Sequence, residues 1–180
     1  MMIPVETLNT LLGLGTIALQ IGTIVLVLLF LQERANGTTS FGNLIRRFGL
    51  WLAFLVTLGG TVLSLYYSEI IGFVPCGLCW LQRIFLFPQV LLLGYAAWKK
   101  EFFIAPYIIL LSIAGGFIAL YQHALQMGYV GSILPCPASP GADCAQRLVF
   151  EFGYITIPLM AFSAFLFVGV LMWFLRKRQS

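Results

Sequence analysis

The chain has 180 residues, 61% of them hydrophobic and only 9% charged, whereas a soluble domain carries about 25% charged residues. Its ten basic and six acidic residues cannot cover a water-facing surface, and a net charge of +4 set beside apolar runs is no nucleic-acid footprint. The composition excludes a soluble enzyme, a nucleic-acid binder and a disordered chain. It leaves an integral membrane protein. Apolar runs of about 20 residues mean helices, because a barrel would alternate over about 10. The expected fold is all-α.

Five stretches are long enough to cross a bilayer: residues 8–32, 48–67, 79–98, 102–122 and 152–175. The first could pass for a secretion signal. It is too long for a signal core and follows Glu6 rather than a basic residue, so it reads as a retained helix. Asn36 to Ser40 forms a turn-like linker, Asn-Gly-Thr-Thr-Ser. The third span is strictly apolar only from Ile84, so its first turn should sit near the headgroups. Pro88 and Pro158 are expected to kink the third and fifth spans. The expected core is a four-helix bundle with one extra N-terminal transmembrane helix. In domain terms, residues 1–47 are that helix and a cytoplasmic linker, and 48–180 are the bundle.

Basic residues set the orientation. Arg34, Arg46, Arg47, Lys99, Lys100, Arg176, Lys177 and Arg178 fall on one side if all five segments cross, leaving Arg83 and Arg147 on the other. The positive-inside rule makes the first side cytoplasmic. The connections 68–78 and 123–151 then face the extracytoplasmic space.

All four cysteines lie in or beside those two connections. Cys76 and Cys79 form Cys-x-x-Cys after Pro75. Cys136 and Cys144 flank a loop holding Pro137, Pro140 and Gly141. An oxidising compartment permits disulfides there, and four cysteines allow three pairings. The plain alternative is a non-enzymatic scaffold with stapled loops. However, Cys-x-x-Cys closes too small a loop to constrain a chain much, and at a helix start it is a common redox arrangement. Pro75 supplies such a start, placing Cys76 in the first turn. Cys76, Cys79 and Arg83 share one helix face. An arginine at the membrane edge costs free energy unless it has a partner or a function; it can stabilise a thiolate or an anionic cofactor, or snorkel to the headgroups. A zinc site is a further alternative, but the Cys136–Cys144 spacing is unlike a zinc knuckle. No metal is expected. His123 and Gln82 are candidates to line a quinone pocket, although a lone interfacial His is often only hydrogen-bonded.

The run Cys76-Gly-Leu-Cys-Trp-Leu-Gln-Arg83 resembles the disulfide-bond formation protein B (DsbB) family of membrane thiol oxidases. The run from Phe152 to Phe162 is similar to the start of that family's last helix. Two features depart from the family pattern: the extra first helix, and a Cys136–Cys144 loop of seven intervening residues, closer to the compact form of Gram-positive members. The resemblance implies a quinone-dependent oxidoreductase of the bacterial cytoplasmic membrane, with both cysteine pairs outside. Its partner would be a thioredoxin-like DsbA-type oxidase, and its cofactor ubiquinone or menaquinone. By analogy Cys136 takes the mixed disulfide, Cys144 attacks Cys76, and Cys79 faces the quinone with Arg83 stabilising charge. A vitamin K epoxide reductase-like protein, or a thiol-reducing electron carrier, is the alternative; an outward carrier should need cysteines reachable from both sides.

Overall fold

The chain is described here from a computed structural model, over residues 5–132 and 143–176. Five helices are long and apolar enough to cross a membrane: α1 (Val5–Asn36), α2 (Ser40–Leu65), α3 (Gly77–Lys99), α4 (Ala105–Met127) and α5 (Ile157–Arg176). The chain is thus an all-helical, multi-pass membrane protein. Among the described residues there is no strand, only an isolated bridge between Glu151 and Ile155.

Helix ends differ from the apolar runs, and local chemistry explains each difference. The second helix starts at Ser40 rather than 48, so Arg46 and Arg47 are helical. Thr39 is the cause: its hydroxyl accepts the Gly42 N–H at 3.0 Å, the standard way to satisfy an orphan first-turn donor. At its far end α2 widens into a π-turn (Tyr66–Ile70) before Gly72 reverses the chain at φ +83°. The fourth helix begins at Ala105 with Pro106 in its first turn, and closes at Gly128, φ +80°. The fifth begins at Ile157, because Phe152 and Gly153 both take positive φ in a tight turn. There the Thr156 hydroxyl accepts the Leu159 N–H. Pro158 therefore sits in the first turn of α5 and opens the helix, where its missing N–H costs nothing, instead of kinking it. Pro88 lies inside α3, which continues unbroken as a helix on either side of it.

The helices run up and down, so one end of the molecule carries Arg34, Arg46, Arg47, Lys99 and Arg176 and the other the cysteines. Contacts join α2 to α3, α3 to α4, α4 to α5 and α5 back to α2, while α1 packs along α5. The fifth helix is central: half of its most apolar window is buried against protein, compared with 17% for α1. The largest core cluster lies toward the basic end, with Ala53, Leu93, Ala96, Ile108, Leu171 and Met172 fully buried. Exposed apolar side chains such as Leu91, Phe103 and Phe117 face outward, as a lipid-facing surface requires.

Candidate functional site

At the other end, Cys76 occupies the N-cap of α3, one position earlier than the expected first turn. Its sulfur accepts the Cys79 N–H at 3.4 Å, a role a serine hydroxyl often fills. The cap and the three-residue spacing bring the two sulfurs to 2.8 Å, both as free thiols. Cys76 is buried and Cys79 partly open. The hydrogen bond to the Cys79 sulfur, then burial, hold the Cys76 thiol above its ordinary range.

Gln122 of α4 reaches across to this pair. Its Nε2 donates to the Cys76 sulfur at 3.2 Å and to the Cys79 sulfur at 3.4 Å. Its Oε1 accepts from Gln82 Nε2 at 2.5 Å, so two buried amides and two sulfurs form one network. A buried amide must satisfy both its halves, and this one does so only against the thiols and Gln82. Gln122 is the functional residue the sequence reading missed. The available signal was an uncharged amide one helical turn before Gln126, on the same face of an apolar span.

Arg83 is buried one turn below Cys79. Its Nε donates to Ser64 Oγ at 2.9 Å and one terminal nitrogen to the Ser64 carbonyl at 2.8 Å. Its guanidinium lies 5.0 Å from the Trp80 ring centroid. Among the described residues the only ion pair is Arg46–Glu33 at the opposite end, so neutral groups of α2 and an aromatic face hold this cation in place.

Cys144 is completely buried, packs in one cluster with Cys76, Leu78 and Leu125, and is disulfide-bonded. A turn closed by Asp143 Oδ1 accepting the Ala145 N–H presents it, and Gln126 Nε2 fixes that turn by donating to the Gln146 carbonyl at 3.0 Å. Cys136 lies outside the described residues. A bonded Cys144 offers no thiolate to a metal. Among the described residues no group of three or more metal-ligating side chains comes together.

His123 does not join this site. Its Nδ1 shares a 2.8 Å hydrogen bond with Thr156 Oγ1 at the start of α5. The neighbour relation explains it: successive helical residues point about 100° apart, so Gln122 and His123 cannot face the same partner.

A cavity of about 430 Å³ opens beside Cys79, within the usual range for small-molecule sites. Cys76, Cys79, Gln82, Arg83, Gln122 and Gln126 line its polar end. Among the described residues, Gln126 Oε1 is buried without a hydrogen-bond partner. Asp143 and Gln146 also border the cavity, and the remainder is mostly apolar, walled by α1, α2 and α5. A flat ring carrying acceptor oxygens at one end and a hydrocarbon chain at the other, as in a membrane quinone, fits the Arg83 donors at the polar end and the largely apolar wall beyond them.

Residues 46–175 match the family described as Disulfide bond formation protein DsbB. The chain belongs to the DsbB family. It is 37% identical over 132 residues to disulfide bond formation protein C of Bacillus subtilis (strain 168), covering 72% of this chain and 91% of that one. It is 39% identical over 128 residues to a probable disulfide formation protein C of Bacillus cereus (strain ATCC 14579), covering 71% and 88%. A probable disulfide formation protein of Chlamydia caviae is 38% identical over 128 residues, covering 71% and 91%. No solved structure matches the chain. DsbB membership gives the chain a role in disulfide formation, and hence oxidoreductase chemistry. The family match begins at residue 46, which leaves all of α1, its linker and the first turns of α2 outside it.

Proposed function

We propose that the chain is a thiol:quinone oxidoreductase that reoxidises a thioredoxin-like extracytoplasmic dithiol oxidase. The observation that carries this reading is the free Cys76–Cys79 pair, sulfurs 2.8 Å apart, at the polar head of an apolar cavity and packed against a disulfide-bonded Cys144. Free thiols staple nothing, which argues against a scaffold. The family match and the five helices support a bacterial cytoplasmic-membrane location. The basic residues support placing the cysteine end outside. The start of the family match supports treating residues 48–180 as the thiol-oxidase unit, a four-helix bundle with α1 added.

In this reading Cys136 and Cys144 form the loop disulfide. A thiolate of the reduced partner attacks Cys136, giving a mixed disulfide and freeing Cys144. The partner's second thiol resolves that bond and leaves oxidised. Cys144 then attacks a Cys76–Cys79 disulfide at Cys76, and its return to Cys136 leaves the electron pair on the reduced Cys76–Cys79 couple. A quinone, when bound, accepts two electrons and two protons. Cys79 is the sulfur open to the cavity. Cys76 shares a hydrogen bond with Cys79 through the two sulfurs. Gln122 orients both sulfurs, and Arg83, fixed by Ser64, supplies fixed positive charge beside Cys79. Burial in the cluster keeps water from the exchanging sulfurs. His123, through Thr156, positions the start of α5.

The test mixes purified protein, a reduced thioredoxin-like protein and a quinone, and follows quinone absorbance. Wild type should consume quinone in step with partner thiols. Cys144→Ser should accumulate a mixed disulfide through Cys136 on a non-reducing gel. Deletion in cells should leave the partner more reduced, and a partner that becomes more oxidised would reverse the direction.

A further inference from the structure

The cavity beside Cys79 is larger than the polar head requires, and its apolar arm has an unexpected wall. Gly15 and Leu19 of α1 line one side, Gly59 and Gly60 of α2 another, and Ala164 of α5 the floor. Thr16 also faces the arm, with its hydroxyl donating to the Leu12 carbonyl at 2.8 Å, so its hydrogen-bonding need is met within its own helix. A side-chain carbon built on Gly15 or Gly59 meets nothing within 4 Å. These positions therefore border open space rather than a packed helix crossing, where small residues let backbones touch.

Polar contacts hold α1 at this distance. At the cysteine end Asn9 Oδ1 accepts from the Tyr67 hydroxyl of the α2 extension. At mid-depth Gln20 donates to Ser163 Oγ at 3.1 Å and accepts from the Tyr154 hydroxyl at 3.1 Å. At the basic end the Glu33 carboxylate pairs with Arg46 of α2. In hydrocarbon such groups have no water to fall back on, so each contact fixes the position of α1. The first helix is thus pinned to α2 at both ends and packed on α5, with the cavity between. A second observation points to a ligand: Arg83, only 6% exposed, lines the polar end of the same cavity, and its guanidinium carries donors that a ring oxygen can accept from.

We propose that α1, Gly15 foremost, forms a tail subsite: the apolar arm between α1, α2 and α5 takes the isoprenoid chain of the quinone whose ring lies at Cys79. This rests on the thiol:quinone reading and adds a specificity element outside the family-matched residues. The tail would lie along Gly15 and Gly59, with the ring oxygens toward the Arg83 guanidinium. Quinones with a long tail are then favoured over the bare ring by burial of hydrocarbon along α1.

The experiment compares full-length wild type with Gly15→Leu and Gly59→Leu, using one quinone ring with a polyisoprenoid tail and the same ring without one. A Cβ at either position meets nothing within 4 Å, so each leucine starts from open space and is expected to occupy the arm. The control is Leu14→Ala, whose side chain is 52% exposed on the lipid-facing side of α1. Each variant should lower kcat/KM for the tailed quinone roughly tenfold, the scale on which hydrophobic pockets discriminate, and leave the tail-less quinone unchanged. The rise in melting temperature on adding tailed quinone should shrink in both variants and persist in the control. Equal loss with both quinones, or no loss with either, overturns the subsite. Melting without quinone shows whether each variant folds, and the second glycine decides should the first fail to fold. Wild type that reduces neither quinone sinks the oxidoreductase reading, while the melting shifts still decide the subsite on their own.

Discussion

The two ends of this membrane protein are built on opposite principles. Toward the basic end, alanines and branched residues fill the interior until Ala53, Leu93, Ala96, Ile108, Leu171 and Met172 have no exposed surface. Toward the cysteine end, the interior holds three glutamines, an arginine and two free thiols around an open cavity. A buried polar group must find a partner or cost free energy, so the cysteine end is specified by hydrogen bonds and the basic end by packing. The comparison teaches a division of labour: stability resides in one half and reactivity in the other.

The largest expected effect tests the reactive half. Cys79→Ser should abolish quinone-coupled thiol oxidation, at least about a thousandfold, or about 4 kcal/mol of barrier. Thermal unfolding in detergent should change little, because serine nearly matches the thiol in size and can still hydrogen-bond to Gln122. A Cys79→Ser protein with measurable steady turnover would remove Cys79 from the pathway.

Next comes the packed half. Met172→Ala empties a site with no exposed surface and should cost about 3 kcal/mol, lowering the melting temperature by about 6–12 °C. Turnover per folded molecule should stay at the wild-type level. If turnover falls with stability, the two halves are coupled and the division fails.

A smaller effect sharpens the cysteine end. Gln122→Leu removes the donor shared by both sulfurs and strands Gln82. Hydrogen bonds to a charged group contribute about 1.5–3 kcal/mol, so single-turnover oxidation of the Cys76–Cys79 pair should slow by roughly 10- to 100-fold. Gln122→Asn keeps the amide but shortens its reach and should recover little. A leucine variant at wild-type speed would show that Gln122 serves packing alone.

These residues also show what the sequence could disclose. Five spans, the basic asymmetry and the Cys-x-x-Cys at the head of α3 are legible because hydrocarbon thickness, charge and local spacing act within a short stretch of chain. Arg83 was legible for the same reason, four residues beyond Cys79. Helix ends were not, because Thr39 and Thr156 cap beyond the apolar runs and Pro158 opens a helix it was expected to bend. Gln122 lies 43 residues from Cys79, so only packing of α3 against α4 brings them together. His123 is a candidate from its place at the outer end of the fourth span, yet one residue of rotation from Gln122 turns it to Thr156. The wall supplied by α1 depends on contacts with α2 and α5 that no local pattern records.

The smallest expected effect lies where α1 meets α2 at the basic end. There the Glu33 carboxylate pairs with Arg46 and accepts the Thr39 N–H at 2.9 Å and the Thr39 hydroxyl at 3.0 Å. Gly42 leaves room for it, since a Cβ there would fall 1.9 Å from a Glu33 oxygen. Glu33→Gln keeps the shape and an acceptor for Thr39 but discharges the pair. Both side chains retain some exposure, 16% for Arg46 and 8% for Glu33, and the surviving hydrogen bonds limit the loss to about 1 kcal/mol. The melting temperature should fall by about 2–4 °C, with quinone reduction unaltered. Should reduction of the tailed quinone slow in this variant while the tail-less one does not, the ion pair would be setting the width of the distant cavity. The basic end would then act on the chemistry by holding α1 in place.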